Sequence, residues 1–214
     1  QTRPPVNFPW EKLDGRPLIY ASLGTTEKVQ LAIFRLIAKA CQSLEVQLVI
    51  SLGAQFSPDQ LSDLPGKPLV VGFAPQLELL RRTTLVITHA GPNTVFETLL
   101  EGKPMVAIPI ALDQPAIARR LARLGAAQVL PVMHLSIRRM RAAIVTVLQE
   151  PSYRLAALAL QEKLRSVHGA EKAADIIEDA LRRHAADQRA QIRSDSAVVP
   201  GPAAELSRNL MPSA

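Results

Sequence analysis

The fold of this chain is decided by residues 73–114, which read FAPQLELLRRTTLVITHAGPNTVFETLLEGKPMVAIPIALDQ. Two short apolar runs within it, 85–88 and 105–108, lack polar alternation, as strands buried on both faces of a parallel sheet do. Between them, apolar residues recur at helical spacing from about Asn93 onward. The stretch therefore predicts a strand, a tight glycine turn and a helix, followed by a second strand.

The polar residues of the turn suit an anion. The first amides of a helix have no partners within it, and the helix dipole places partial positive charge there, so a phosphate is held without any lysine. We expect Gly91 to let the backbone approach the ligand closely, and Asn93 and Thr94 to offer side-chain donors at the helix start. His89, at the end of the strand, is placed to donate an N–H to the same anion.

Glu97 admits two interpretations. It follows Thr94 by three residues and so lies on roughly the same helix face, where a carboxylate accepts hydrogen bonds from a ribose diol. Thr94 and Glu97 also match a capping box, a purely structural device. Spacing alone leaves both interpretations open.

Alternating strands and helices over the rest of the chain indicate an α/β fold, a Rossmann-like, doubly wound parallel sheet of about six strands. In the common strand order 3-2-1-4-5-6, the switch point lies between strands one and four, which end near Thr25 and His89. The predicted strands are 18–22, 46–51, 69–72, 85–88, 105–108 and 127–130. The predicted helices are 29–44, 77–82, one from about 93, 114–124, 136–149, 152–167 and 170–186.

Three regions are predicted from composition. Residues 1–17 are rich in proline and lack periodicity, so we expect a linker or extended segment, with Trp10 packed on the domain or on a partner. Residues 18–186 are expected to form one α/β domain, which the resemblance described below implies is the nucleotide-sugar-binding domain. Residues 187–214 are polar and rich in turn formers, which predicts a flexible tail.

Composition excludes several classes of protein. The hydrophobic fraction of 48% with 21% charged residues is typical of a soluble globular chain. The net charge of +6 is spread over the helices, and one Trp, two Tyr and five Phe leave few rings to stack bases, so no nucleic-acid partner is expected. The diffuse basicity also suits an anionic donor or an acidic membrane face.

The single cysteine, Cys41, lies on the apolar face of a predicted helix and reads as a core thiol in a reducing compartment. The sequence shows neither a transmembrane run nor a signal peptide, so a cytoplasmic location is expected. No clustered Cys and His spacing predicts a metal site. His134, His168 and His184 are expected to be structural or solvent-facing.

Five elements in order resemble the nucleotide-sugar signature of GT-B glycosyltransferases of the UDP-glycosyltransferase type, glycosyltransferase family 1. The plant version of that signature reads W-A-P-Q, T-H-C-G-W-N-S, E, G-x-P-M and D-Q. Two departures are Phe73 and Pro92, each at a position where the plant signature has tryptophan. The matching residues here are 73–76, 88–94, Glu97, 102–105 and 113–114.

The resemblance implies a role for each position in binding a UDP-sugar. His89, Gly91, Asn93 and Thr94 hold the diphosphate, with Thr25 of the first strand's turn as a second contact. Glu97 holds the ribose, and Asp113 and Gln114 hold the donor sugar, although Asp113 also suits a helix N-cap on its own. The uracil is expected to meet Phe73, Ala74 and Gln76, with an aromatic ring stacked on it.

The function implied is that of the donor-binding, C-terminal half of an inverting, metal-independent glycosyltransferase with no cofactor beyond the UDP-sugar co-substrate. The sequence around Phe8 to Trp10 and Tyr20 to Thr25 looks most like bacterial enzymes that glucosylate hydroxylated carotenoids, with small-molecule macrolide enzymes nearly as compatible. The acceptor site and the catalytic base are expected in an N-terminal domain, so the chain alone is predicted to be inactive. The full enzyme is compatible with peripheral membrane association.

Two alternatives remain at this point. One is a nucleotide-sugar-binding subunit of a split transferase, which recruits a separate acceptor-binding chain. The other is a UDP-sugar epimerase, which shares the architecture and needs acid/base carboxylates but no acceptor.

Overall fold

A computed structural model describes residues 6–24, 30–53 and 56–196, with the backbone alone at residue 30 and at residues 193–196. All six predicted strands are present and every pairing is parallel. The strands are β1 (Leu18–Ser22), β2 (Gln47–Ser51), β3 (Leu69–Val71), β4 (Leu85–Thr88), β5 (Met105–Ala107) and β6 (Ala127–Val129). The helices are α1 (Gln30–Cys41), α2 (Gln76–Arg82), α3 (Pro92–Leu100), α4 (Gln114–Arg123), α5 (Ile137–Gln149), α6 (Pro151–Arg165) and α7 (Gly169–Ser196).

The sheet has the order β3-β2-β1-β4-β5-β6, which confirms the predicted order. The register pairs Ser22 at the end of β1 with Thr88 at the end of β4. Because chain connections leave these two strands in opposite directions, a crevice opens at their carboxyl ends. The switch point therefore lies where the sequence placed it.

Two apolar clusters cover the two faces of the sheet. On one face, Phe34 of α1 and Ile144 of α5 pack with Ile19 and Ile87 of the central strands. On the other face the helices α2, α3 and α4 contribute side chains, which pack with Tyr20 and Val86. The side chains of β1 alternate between the clusters, and β4 and β5 are buried throughout, as uninterrupted apolar runs predict.

The segment before β1 differs from the linker expected over residues 1–17. Phe8 is buried at 4% exposure in the second cluster, and a short 3-10 helix covers Trp10–Lys12. The Trp10 ring lies 4.6 Å from that of Phe8 and 4.5 Å from the Arg82 guanidinium. Residues 6–17 are thus part of the domain. The segment has no periodic apolar pattern, but its two aromatic rings still bury apolar area.

The final helix also differs from prediction. The expected tail began at 187, whereas α7 continues to Ser196, and residues 197–214 lie outside the described part. The described residues from Val167 onward form a compact unit distinct from the one that ends at Ser166. Leu181 and Ile192 of this helix are exposed. Within the described ranges, no helix combines the length and apolar character needed to cross a membrane.

Candidate functional site

The turn after β4 is built by three residues with different tasks. Thr88 is fully buried, and its hydroxyl accepts the Ala90 N–H at 3.2 Å. Ala90 adopts a positive φ of 68°, an uncommon conformation for a residue with a side chain. Gly91 then has φ −62° and serves as the N-cap of α3. Backbone strain is therefore carried by Ala90, next to the polar residues of the turn, where such strain often marks a functional site.

The His89 ring lies between two glycines. A Cβ built on Gly24 would lie 2.8 Å from Nε2 of His89, and one built on Gly91 would overlap the same nitrogen. The absence of a side chain at Gly91 thus makes room for the imidazole of His89. The predicted close approach of the Gly91 backbone to a ligand stays a prediction.

His89 has an unsatisfied polar atom. The Nδ1 atom is buried and has no hydrogen-bond partner among the described residues. Burial lowers the pKa of His89 below its usual value, opposed by the nearby backbone of Ser22 and by the charge of Asp113. A buried ring nitrogen without a partner costs free energy, so the position of the His89 ring is maintained at a cost to stability.

The start of α3 is open to an anion. The helix begins at Pro92 rather than at 93–94, and no side chain of the described part caps it. The first bond within the helix runs from the Val95 N–H to the Gly91 carbonyl, so the amides of Asn93 and Thr94 have no partner inside the helix. Pro at the first helical position removes one donor that the helix could not use.

The capping-box interpretation of Thr94 and Glu97 is wrong. The N-cap is Gly91, so Thr94 is the third helical residue and cannot start a box. The Glu97 carboxylate instead accepts a hydrogen bond from Nε2 of Gln76 at 2.7 Å. Gln76 in turn accepts one from the Tyr20 hydroxyl at 3.0 Å. Glu97 therefore belongs to a polar chain that joins β1, α2 and α3.

The loop after β5 brings the acidic residue of the site close to His89. Asp113 is exposed and occupies the N-cap position of α4, as its sequence context suggested, but its side chain makes no capping bond. Its charge acts on His89. Gln114 is only 7% exposed, and its Oε1 accepts the N–H groups of Ile110 at 2.8 Å and Ala111 at 3.0 Å. Gln114 thus closes the loop that carries Asp113.

The remaining predicted residues fall in three places. Phe73 follows β3 and is 55% exposed, so its ring is accessible for stacking. Ala74 packs against the second apolar cluster, one residue before the N-cap of α2. Thr25 lies outside the described residues.

Sequence reasoning missed Tyr20 and Gly24. Tyr20 was overlooked because it lies within an apolar strand. Its phenol is only 1% exposed, and a buried phenol requires a hydrogen-bond partner. That requirement is the signal that could have revealed its link to Gln76. Gly24 has φ 81° and lies against His89, a contact between distant residues that no local pattern encodes.

The arrangement can hold an anion at His89 and the start of α3, and hydroxyl groups at Glu97 and Asp113. No group of three or more His, Cys, Asp or Glu in the described part is arranged to hold a metal ion. His134, His168 and His184 are exposed. Burial raises the pKa of Cys41 to about 12, which agrees with the predicted core thiol.

Comparison with known proteins gives consistent matches. Residues 15–193 match the family described as UDP-glucoronosyl and UDP-glucosyl transferase. An uncharacterized UDP-glucosyltransferase, YojK, of Bacillus subtilis (strain 168) is 30% identical over 177 residues, covering 83% of this chain and 44% of that protein. The zeaxanthin glucosyltransferase of Pantoea ananas is 33% identical over 171 residues, covering 78% of this chain and 39% of that protein.

A solved structure is consistent with these sequence matches. The glycosyltransferase VinC in complex with dTDP is 25% identical, with a TM-score of 0.70 over 84% of this chain and 45% of that one. The chain thus spans less than half the length of these relatives.

Proposed function

Because the chain belongs to the UDP-glucuronosyl and UDP-glucosyl transferase family, whose structures have the GT-B fold, we propose that it binds a UDP-sugar as the donor domain of an inverting, metal-independent glycosyltransferase. The proposed reaction moves a hexose, glucose as the first choice, to a hydroxyl of a small lipophilic acceptor. The observation that carries the proposal is the uncapped start of α3, with the His89 ring packed against its N-cap residue, Gly91.

The donor occupies the crevice as follows. The diphosphate lies at His89, Gly91, Asn93 and Thr94, where aligned amides and the ring supply donors without a lysine. Glu97 accepts hydrogen bonds from the ribose. This assignment is supported by the loss of the capping alternative, because the Glu97 carboxylate is turned toward Gln76 rather than toward the helix start.

The base and the sugar have separate contacts. Phe73 offers an exposed ring to the uracil, with the backbone of Ala74 beside it. Asp113 is exposed beside His89 and contacts the sugar hydroxyls. Gln114 serves the sugar indirectly, because its buried Oε1 is engaged with the loop that presents Asp113. Thr25 remains a proposed diphosphate contact from the resemblance alone.

The chemistry follows from where charge develops. As the bond between sugar and phosphate breaks, negative charge grows on the leaving diphosphate, and preorganised donors such as His89 and the α3 amides are each worth about 3 kcal/mol there. Deprotonation of the acceptor hydroxyl requires a general base, worth about 10²–10⁴-fold. We propose that the base and acceptor site come from a domain corresponding to the unmatched half of the relatives, and that this chain alone has negligible transferase activity.

The acceptor proposal rests on relatives. Zeaxanthin glucosyltransferases from two bacteria are among the matched proteins, one of them 40% identical over 107 residues. A carotenoid or similar lipophilic alcohol is therefore the proposed acceptor, and association of the full enzyme with a membrane surface is compatible with it. The structure of VinC is a complex with dTDP, so a sugar donor with a deoxyribonucleotide is the competing candidate. We favour UDP because the Glu97 carboxylate suits a ribose diol.

Calorimetric titration of UDP and UDP-glucose into the chain tests the donor site. The double variant His89→Ala, Glu97→Ala removes two charge-assisted contacts, worth about 1.5–3 kcal/mol each, so its affinity should fall by more than about 100-fold. The matched control is His168→Ala, Glu171→Ala, which removes the same residue types from an exposed pair formed by the residue before α7 and one in its first turn. We expect the control to bind like the parent.

Two results would contradict the proposal. The first is that the folded parent chain binds neither UDP nor UDP-glucose, even when it is joined to an acceptor domain. The other is a double variant that binds as tightly as the control. Circular dichroism on each protein verifies that the fold is intact before binding is compared.

A further inference from the structure

A chain of hydrogen bonds crosses the domain beneath the crevice. The Tyr20 hydroxyl, in the middle of β1, donates to Oε1 of Gln76 at 3.0 Å. Nε2 of Gln76, the first residue of α2, donates to Oε2 of Glu97 at 2.7 Å. A strand and two helices are thus linked by two side-chain bonds that end on the carboxylate assigned to the ribose.

The chemistry of the three groups sets the direction of this chain. A carboxylate accepts hydrogen bonds, so the amide nitrogen of Gln76 must face Glu97 and the amide oxygen must face Tyr20. A phenol has one O–H, which it donates to that oxygen. The Gln76 amide is therefore held at both ends, whereas with one end free it could rotate about its terminal torsion, which has broad preferences.

The two ends of the chain differ in mobility. Tyr20 is 1% exposed, and its ring packs among Leu79, Val86 and other side chains of the second apolar cluster. Gln76 and Glu97 are half-buried at the protein surface. The immobile phenol thus acts as the anchor, and the surface carboxylate is the group whose orientation depends on it.

We propose that Tyr20 is a positioning residue that, through Gln76, orients the Glu97 carboxylate and thereby sets the preference for ribose over 2′-deoxyribose in the donor nucleotide. This inference rests on the proposed function, because it assumes that Glu97 meets the ribose. It gives Tyr20 a role in specificity although it lies beneath the ligand. It also assigns Gln76 to positioning rather than to the uracil.

The test compares UDP with 2′-deoxy-UDP, two ligands that differ by one hydroxyl. Both are titrated into the parent, Tyr20→Phe and Glu97→Ala. The matched control is Tyr153→Phe, because Tyr153 is the other tyrosine of the chain and also bonds a glutamine, Gln128, at the far edge of the sheet. Both tyrosine variants keep the ring and lose one hydroxyl that bonds a glutamine, so the control shows the effect of such a loss away from the proposed site.

The ratio of the two affinities is the readout. A hydroxyl bonded to a charged carboxylate should favour UDP by about tenfold or more in the parent. Tyr20→Phe should lower that ratio by about threefold or more, toward the ratio of Glu97→Ala, while Tyr153→Phe keeps the parental ratio. Gln76→Leu should lower it similarly, and combining it with Tyr20→Phe should add nothing, since both act through one chain.

Each failure has a separate meaning. Equal ratios in Tyr20→Phe and the parent would overturn the positioning role while leaving the donor site in place. A parent that binds UDP and 2′-deoxy-UDP equally would overturn the contact between Glu97 and the ribose, and the inference with it. A parent that binds neither would overturn the proposed function itself.

Discussion

Gly91→Ala is the substitution for which the structure gives the clearest expectation. The backbone at Gly91, with φ −62° and ψ 138°, is one that alanine adopts without strain. The added methyl group nevertheless overlaps Nε2 of His89 and would lie 2.6 Å from its Cε1. The imidazole must therefore move, and the space around it is limited, because a Cβ built on Gly24 would lie only 2.8 Å from the same Nε2 atom.

The cost has two parts. Overpacking at a site that cannot relax freely destabilises by about 1–3 kcal/mol, which corresponds to roughly 2–12 °C in melting temperature for a chain of this size. A displaced ring also loses its bond to the diphosphate, worth about 1.5–3 kcal/mol, or roughly 10–150-fold in affinity for UDP. Gly72→Ala is the matched control, because Gly72 follows β3 at the same edge of the sheet and an added Cβ there meets nothing within 4 Å.

The assay is a double-mutant cycle measured by thermal melting and UDP titration. If the methyl acts by displacing the ring, then Gly91→Ala should cost almost nothing in a His89→Ala background, because the overlapping side chain is gone. The cycle should thus be strongly non-additive in both stability and affinity. Additive costs, or a Gly91→Ala variant that binds UDP like Gly72→Ala, would refute the reasoning.

Three further predictions concern single side chains. Burial lowers the pKa of His89 below its usual value of 6.5, and a bound diphosphate favours the charged ring, so affinity for UDP-glucose should rise as the pH falls from about 8 to about 6. The rise should level off where the free ring is itself protonated, and titrations of His89→Gln across this range should show no such dependence. Gln114→Leu leaves the N–H groups of Ile110 and Ala111 without their acceptor, at about 1–3 kcal/mol each, so calorimetry should show a melting temperature lower by about 4 °C or more. Burial raises the pKa of Cys41 to about 12, and the side chain is 6% exposed, so mass spectrometry should detect its alkylation by iodoacetamide only after unfolding.

The sheet could be predicted in full from sequence because its signals are local. Each central strand is a short apolar run between turn formers, and each helix before residue 166 shows one apolar stripe, so element types and order follow without knowledge of contacts. The parallel order then follows from the alternation of strands and helices. Element boundaries moved by a few residues, as at α1, which ends at Cys41 rather than at 44.

The predicted element boundaries were wrong where the local sequence pattern does not determine the structure. The segment QRAQIR after 187 is polar, and polarity was weighed above the strong helix propensity of Gln, Arg and Ala, so the end of α7 was missed. Before β1, proline and the lack of periodicity hid the packing of Phe8. The start of α3 was placed too late, although Pro92 suits the first helical position.

The residues of the site were predictable, but their tasks depended on contacts between distant parts of the chain. Gln76 and Glu97 are 21 residues apart, and Tyr20 is 56 residues from Gln76, so no spacing rule could show that they share hydrogen bonds. Likewise, position 91 requires a glycine because a side chain there would overlap the His89 ring, whereas the backbone angles of Gly91 are ones that other residues adopt.

The polar residues of the crevice are of two kinds, those whose side chains are hydrogen-bonded within the protein and those whose side chains are not. The side chains of Thr88, Gln76 and Gln114 have polar atoms engaged within the protein, so their effect on a ligand passes through the groups they hold. Among buried side-chain nitrogens and oxygens of the described residues, only Nδ1 of His89 and Nη1 of Arg35 have no partner, and the Arg35 guanidinium still donates to the Gln60 carbonyl. A fold maintains an unpaired buried atom at a cost. The polar groups left for a ligand are the uncapped amides at the start of α3 and the exposed Asp113 carboxylate, and Tyr20 acts on that ligand through the groups that it holds.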